Sequence, residues 1–259
     1  MSTSRQAARH ALAFVAAALL AVPATVLPAG AQQAAAPARP TVAVMDFSNG
    51  AIGSAHEELA PLSGGIGDLL VGELAANPAI RLVERKQVRQ LLDEQELAGT
   101  KAIDAQTAVR VGRLLGVQHM IFGGFVTDRS GTMQLHARAV NVETGVIEHV
   151  ERVSDRTDNF MAMVSRLAQQ LSGGMKLPAP PTRTPDARPA RDGSGASGAP
   201  ARTAVPFQAV LLYSRALRAE DGGDRAQAVE LYRKTLSAFP TYGPARRALD
   251  RIASAPGDR

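Results

Sequence analysis

The sequence contains no cysteine and no tryptophan, and aromatic side chains account for only 4% of its 259 residues. Without cysteine the chain has no disulfide, no thiolate metal ligand and no cysteine to carry a lipid anchor. Few aromatic rings are left to stack on nucleic-acid bases or to anchor a protein interface. These absences disfavour a disulfide-stapled scaffold, a lipoprotein and a binder of single-stranded nucleic acid.

The longest apolar run lies near the N-terminus. Residues 11–22 read ALAFVAAALLAV, follow Arg5 and Arg9, and precede the small residues AGA that end at Ala31. A positive segment, an apolar segment and an A-x-A site are typical of a secretory signal peptide. We therefore expect cleavage after Ala31 and a periplasmic mature chain without a lipid. The alternative is an uncleaved anchor, for which this run is short.

The charge distribution argues against a nucleic-acid partner, although the formal net charge is +5. Residues 32–177 carry 14 Lys and Arg against 16 Asp and Glu, a net charge of −2. The positive excess lies in the signal peptide and in residues 178–259. No basic face dominates the main part of the chain, so we expect no nucleic-acid binding.

Composition divides the chain into five segments. One of them is rich in Pro, Gly, Ala and Arg with almost no large apolar side chain, which predicts a disordered linker. The five segments are a signal peptide (1–31), a leader (32–40), an α/β domain (41–177), this linker (178–205) and a helical C-terminal part (206–259).

Within the α/β domain the hydrophobic pattern predicts the order β-α-β-α-α-β-β-β-α. The five predicted strands are TVAVMDF, IRLVER, HMIFGGFV, MQLHARAVNV and VIEHVERV, and the first ends in a turn at SNG. Ser63, Asp104 and Asp158 are predicted helix N-caps, and Gly116 is a predicted helix end. The expected fold class is α/β, a mixed β-sheet with packed helices, followed by a small all-α tail.

No side chains have the spacing of a catalytic or metal centre. The histidines beyond the signal peptide lack metal-ligand spacing and an H-E-x-x-H motif; they are His56, His119, His136 and His149. The glycine-rich segment SGGIGDLLVG opens a helix and could cradle an anion, but glycines that ease helix packing are the favoured interpretation. Glu84 and Arg85 are either a functional ion pair or residues of a strand–helix junction. We predict no enzyme activity, no cofactor and no metal.

Several motifs between residues 41 and 172 have a recognisable order. They are VAVMDF, RLVERKQVRQLLDEQ, RLLGV, MIFGGFV and ARAVNVETGVI. In this order and spacing they resemble the CsgG family, which includes the outer-membrane secretion channel for curli subunits. More loosely, the pattern is similar to the TolB amino-terminal domain and to periplasmic activators of penicillin-binding proteins. The resemblance implies an α/β sandwich of the CsgG and TolB amino-terminal type.

The C-terminal segment AVLLYSRALRAEDGGDRAQAVELYRKTLSAFP resembles one tetratricopeptide repeat, and a third helix follows it. One repeat is fewer than the three or so that usually fold alone, so we expect these helices to pack on the main domain or on another chain. Tyr232 falls at a core position of the repeat. Tyr213, Arg215 and Arg218 are the candidate partner-binding residues on its surface.

The resemblance also indicates where the curli channel carries its membrane hairpins, between strands three and four and after strand five. Here TDRSGT joins strands three and four and SDRTDN follows strand five, whereas a spanning hairpin needs ~20 residues. We expect a non-catalytic periplasmic accessory protein without those hairpins, for assembly or export of curli-like fibres, adhesin or polysaccharide. The alternative is a regulator that activates a peptidoglycan synthase. Expected partners are envelope or secretion-system proteins, and we expect no membrane insertion of the mature chain. A homo-oligomer is left open.

Overall fold

The structure is a computed structural model that describes residues 39–95, 104–128, 130–178 and 205–254. The predicted signal peptide, most of the leader and nearly all of the linker lie outside the described residues. Among the helices in these ranges, none is long and apolar enough to cross a membrane.

Six strands form one mixed sheet in the order β3-β1-β4-β5-β6, and β2 also pairs with β4. The pairs of β1 with β3, β1 with β4 and β2 with β4 are parallel, and the two pairs β4–β5 and β5–β6 are antiparallel. The strands are β1 Thr41–Val44, β2 Ser48–Asn49, β3 Arg81–Leu82, β4 His119–Thr127, β5 Thr132–Asn141 and β6 Ile147–Arg156. The predicted α/β class with a mixed sheet is confirmed.

The described residues form eight α-helices. Five belong to the sheet domain and three to the C-terminal part, which we call the tail helices. They are α1 Ser54–Leu59, α2 Leu62–Leu74, α3 Arg85–Glu94, α4 Ala105–Leu115 and α5 Phe160–Gly174, then α6 Phe207–Asp221, α7 Arg225–Ala238 and α8 Gly243–Ser254.

Side chains alternate along the strands and so feed two cores, one on each face of the sheet. Val42 and Val44 of β1 point to the face covered by α2 and α5. Ala43 and Met45 point to the opposite face, which α3 and α4 cover. The helices between parallel strands therefore bury both sides of β1, which explains its continuous apolar run.

The helix ends are partly as predicted. Asp104 accepts a hydrogen bond from the Thr107 backbone N–H at 2.7 Å, and Gly116 ends α4 in the left-handed region at φ 66°. Ser63 is not an N-cap, because α2 already begins at Leu62. Asp158 is not one either, because it lies inside a 3₁₀ turn that precedes α5.

Two short elements differ from the prediction. The segment expected to turn at SNG forms the two-residue strand β2, because Ser48 and Asn49 pair with the far end of β4. The next residues form the extra helix α1, which has no apolar period long enough to be recognised. Strand β3 is shorter than IRLVER, since its pairing with β1 covers only Arg81 and Leu82.

Both predicted hairpin connections are tight. Strand β4 ends at Thr127 and β5 begins at Thr132, and the Asp128 carboxylate accepts hydrogen bonds from the backbone N–H groups of Ser130 and Thr132. In the next connection the Asn141 side chain accepts from two backbone N–H groups of the turn. These polar turns hold the three long strands together as an antiparallel meander.

The tail helices pack on the sheet domain. Val210, Tyr213 and Leu217 of α6 belong to the same buried cluster as Ile66 and Leu70 of α2. The sequence left open whether the tail packs on the main domain or on another chain, and the structure shows it on the main domain. The predicted helix pair and the core position of Tyr232, fully buried, are confirmed; its identity as a tetratricopeptide repeat stays a prediction.

Candidate functional site

A buried arginine holds the tail to the sheet domain. Arg85 is only 7% exposed at the start of α3, and three aspartates surround its guanidinium. Its Nη2 donates to Asp221 Oδ1 at 2.6 Å, its Nη1 lies 3.6 Å from Asp46 Oδ1, and its Nε lies 3.9 Å from Asp68 Oδ1. Asp46 follows β1, Asp68 lies on α2 and Asp221 is the last residue of α6. One cation therefore links three parts of the chain.

Arg89, one turn further along α3, completes the cluster. Its Nη1 lies 2.9 Å from Asp46 and 3.2 Å from Asp221. Burial alone would lower the pKa of Arg85, but its hydrogen bond to Asp221 and the nearby carboxylate charges outweigh burial and raise that pKa above its usual range. The guanidinium is therefore charged at every physiological pH. We call Asp46, Asp68, Arg85, Arg89 and Asp221 the arginine cluster.

Glu84 and Arg85, for which the sequence left open an ion pair or a strand–helix junction, do not pair with each other. Glu84 precedes α3, is exposed, and makes no capping hydrogen bond with its side chain. Arg85 turns inward instead and is neutralised by residues far away in sequence. The junction interpretation is correct for Glu84, whereas Arg85 is a structural ionic contact.

Tyr213 is not on the surface, contrary to its assignment as a partner-binding residue. Its ring is 3% exposed and its hydroxyl donates to Asp68 Oδ2. Burial, followed by the charge of Asp68, raises the pKa of Tyr213 well above its usual value. The side chain also packs edge-on against Tyr242 with ring centres 5.4 Å apart. Because α2 covers this face of α6, Tyr213 contacts its own chain.

Arg215 and Arg218 do lie on the exposed side of α6. They line a shallow pocket of about 610 Å³ between α1 and the α6–α7 pair, together with Glu57, Glu58 and Asp224. A role for these two arginines in partner binding stays a prediction.

The glycine-rich segment packs helices together. A side chain at Gly65 would lie 2.8 Å from Ser214 Cβ of α6, and one at Gly67 would lie 3.1 Å from the carbonyl oxygen of Met45, the residue after β1. Helix α2 thus touches the sheet on one side and the tail on the other at backbone distance. The interpretation that these glycines ease helix packing accounts for both contacts.

A groove of about 1160 Å³ runs along the junction between the tail and the sheet domain. We call it the junction groove. Leu69 and Val71 of α2 and Met161 of α5 form one wall, and Phe239 and Tyr242 are on the other. Charged side chains of both signs lie at its rim, among them Glu73, Arg166 and Arg247. Its lining is mixed apolar and charged, as in sites that bind proteins or peptides.

One polar group in this groove has no partner within the described residues. Tyr242 is 2% exposed, and its hydroxyl makes no hydrogen bond with them. Burial, and then the charge of Asp68, raises the pKa of Tyr242 above its usual value, against the opposing effect of Arg247. The hydroxyl is therefore neutral and lies beneath the groove surface, out of reach of a bound molecule.

The histidines occupy separate places in the described structure. His119 Nδ1 lies 2.9 Å from Glu148 and His149 Nε2 lies 2.6 Å from Glu151. His136 lies on the middle strand beside two arginines. Among the described residues no group of three or more His, Asp or Glu side chains is placed to hold a metal ion.

We expect the His136 imidazole to titrate below pH 6.5. Burial, and then the positive charges of Arg138 and Arg152, lower its pKa. The unfolded chain therefore binds more protons than the fold just below pH 6.5, so this group's contribution to stability is present above that pH and is lost as the pH falls through the folded pKa. Histidine chemical shifts measured against pH test this. In Arg138→Ala/Arg152→Ala the pKa should rise but stay below 6.5, because burial is the larger cause; no rise would contradict the assignment.

The arginine cluster and the junction groove were not predicted from the sequence. The three aspartates lie at positions 46, 68 and 221, and no local spacing connects them. A partial signal existed: Asp46 and Arg85 follow β1 and β3, and the carboxyl ends of neighbouring parallel strands meet at one edge. The tail's contribution has no such signal.

The family model described as curli production assembly/transport component CsgG matches residues 25–128. No curated protein matches the chain. Solved structures with a similar arrangement include the LpoB C-terminal domain from Salmonella enterica, with 17% identity, 48% of this chain and 87% of that chain covered, and a TM-score of 0.32. The PelC dodecamer from Paraburkholderia phytofirmans is 12% identical, with 55% of this chain and 92% of that chain covered and a TM-score of 0.33. Lipoprotein GNA1162 from Neisseria meningitidis is 12% identical, with 51% of this chain and 96% of that chain covered and a TM-score of 0.35.

Proposed function

We propose that this chain is a non-catalytic accessory protein of the cell envelope that assists assembly or export of surface material. The observation that carries the proposal is the match of residues 25–128 to the family model of a curli assembly and transport component. The exported material belongs to the class of fibre, adhesin or polysaccharide. The protein acts in the periplasm by binding other proteins.

The geometry supports binding through the junction groove. The groove exists only because the tail is docked, since one wall comes from α2 and α5 and the other from the tail. At about 1160 Å³ it exceeds the 300–1,000 Å³ typical of small-ligand pockets. A segment of a partner protein fits this size and mixed lining.

The proposal is tested by deleting the gene in its host and measuring secreted surface material alongside peptidoglycan synthesis. We expect less fibre, adhesin or polysaccharide at the surface and unchanged peptidoglycan incorporation. Affinity purification from the periplasm should then recover secretion components. Loss of peptidoglycan synthesis, with recovery of a peptidoglycan synthase, would favour the alternative function of a synthase activator and contradict the proposal.

A bulky residue in the junction groove should abolish complementation of that deletion. Gly72 lines the groove on α2, and a side chain added there meets no atom within 4 Å. Gly72→Trp therefore fills the groove without disturbing the helix, and we expect surface material to stay at the level of the deletion strain. The readout is the amount of surface material, with protein level checked by immunoblot.

Gly173→Trp is the matched control. Gly173 is likewise an exposed helical glycine with nothing within 4 Å of an added side chain, and it lies outside the groove lining. This variant should restore surface material to the wild-type level. If Gly72→Trp also restores it, the junction groove is not the functional surface.

A further inference from the structure

Part of one sheet face has no helix over it among the residues that the structure describes. Helices α3 and α4 cover β1 and the near ends of β4 and β5, where Met120, Phe122 and Val140 are buried. Beyond them, on the same face, Val126 is 40% exposed and Val150 is 58% exposed. These two valines leave apolar area on this face available for contact with another molecule.

The pairing of the strands sets out this surface in three rows. His136 lies between Gly124 and Arg152, as the register of β4, β5 and β6 shows. The neighbouring rows place Gln134 between Val126 and Ser154, and Arg138 between Phe122 and Val150. Residues directly opposite in an antiparallel pair share one face, so these side chains project together. We call this surface the open sheet face.

The charge of the open sheet face is of one sign. Arg138 and Arg152 are exposed, and neither has a salt-bridge partner within the described residues. None of the side chains in the three rows carries a negative charge, although residues 32–177 as a whole have a net charge of −2. The two arginines therefore form a local positive patch on a slightly acidic domain. The pKa of His136 is lowered first by burial and then by the charges of these arginines, as a positive local potential requires.

We propose that the open sheet face is a docking surface for an acidic protein segment. Charge complementarity identifies the partner, because guanidinium groups form bidentate hydrogen bonds with carboxylates. The valines beside the arginines provide apolar contacts for the partner's side chains. A glycan is disfavoured because no aromatic ring is exposed in the three rows to stack on sugars. This surface is separate from the junction groove and does not depend on the function proposed above.

The test uses the purified full chain and a fluorescein-labelled peptide of alternating glutamate and leucine, with binding followed by anisotropy. The wild type should bind the peptide, and added salt should weaken the complex. Arg138→Ala/Arg152→Ala should weaken it about five- to tenfold, because two ion pairs are lost. Arg138→Lys/Arg152→Lys should retain most of the affinity. Thermal unfolding of each variant establishes that it is folded.

Arg110→Ala/Arg113→Ala is the control for charge alone. It removes the same two positive charges from exposed positions on helix α4, outside the three rows of the open sheet face. Peptide affinity should stay within about twofold of wild type. Equal losses in both double variants would mean non-specific attraction and overturn the proposal. No binding, or binding of phosphatidylglycerol vesicles through Arg138 and Arg152 in place of the peptide, would overturn it too.

Discussion

Replacing Arg85 by alanine is expected to lower the free energy of unfolding by about 3–5 kcal/mol. The substitution leaves Asp46, Asp68 and Asp221 close together with one remaining cation, Arg89. Removing one partner from a buried ionic contact costs this much because the remaining charges have lost their solvation. The lower end applies here, since the aspartates are still 13–29% exposed. Urea denaturation followed by circular dichroism measures the change.

Lys86→Ala is the control for this prediction. Lys86 is the exposed neighbour of Arg85 on the same helix turn, and its replacement should change stability by no more than about 0.5 kcal/mol. Asp221→Asn should destabilise less than Arg85→Ala, because it removes one of several charges around the guanidinium. An Arg85→Ala protein as stable as wild type would show that the arginine cluster does not hold the tail.

Replacing Gly65 by leucine is expected to displace the tail from the sheet domain. Even a methyl group at this position would lie 2.8 Å from Ser214 Cβ, and Ser214 is fully buried. Overpacking of this kind costs about 1–3 kcal/mol, and leucine adds three more carbon atoms that have no space between α2 and α6. After trypsin cleavage between residues 179 and 204, the wild-type tail should co-elute with the sheet domain on size exclusion. In Gly65→Leu the two fragments should separate.

Gly72→Leu provides the comparison on the same helix. An added side chain there meets nothing within 4 Å, and the higher helix propensity of leucine makes the change neutral or stabilising by up to about 1 kcal/mol. The cleaved Gly72→Leu fragments should still co-elute. Co-elution of the Gly65→Leu fragments would mean that the close α2–α6 contact is not required for docking.

The sheet was predictable because its long strands carry a local pattern. Met133, Leu135 and Ala137 alternate with Gln134 and His136, and the structure buries the first three completely. Alternation of this kind involves only residues that are close in sequence, so it can be recognised without knowledge of the tertiary fold. The same holds for Asp104 and Gly116, whose capping roles depend only on the helix that they bound.

The interaction surfaces were not predictable in the same way. Tyr213 was expected at the surface because its helix was considered alone, and only the docking of α6 on α2 buries it. Asp68 and Asp221 each resemble ordinary exposed helix carboxylates until Arg85 is placed between them. Arg85 and Asp221 are 136 positions apart and meet through tertiary packing, which local periodicity does not encode.

The tail must be a fixed part of the sheet domain, because the junction groove disappears without it. Backbone ¹⁵N relaxation of the purified chain measures this directly, by comparing the amides of α6–α8 with those of β4–β6. We predict one shared rotational correlation time for both sets. A distinctly shorter correlation time for the tail helices would mean that they move independently, and it would contradict the arginine cluster, the junction groove and the function built on them.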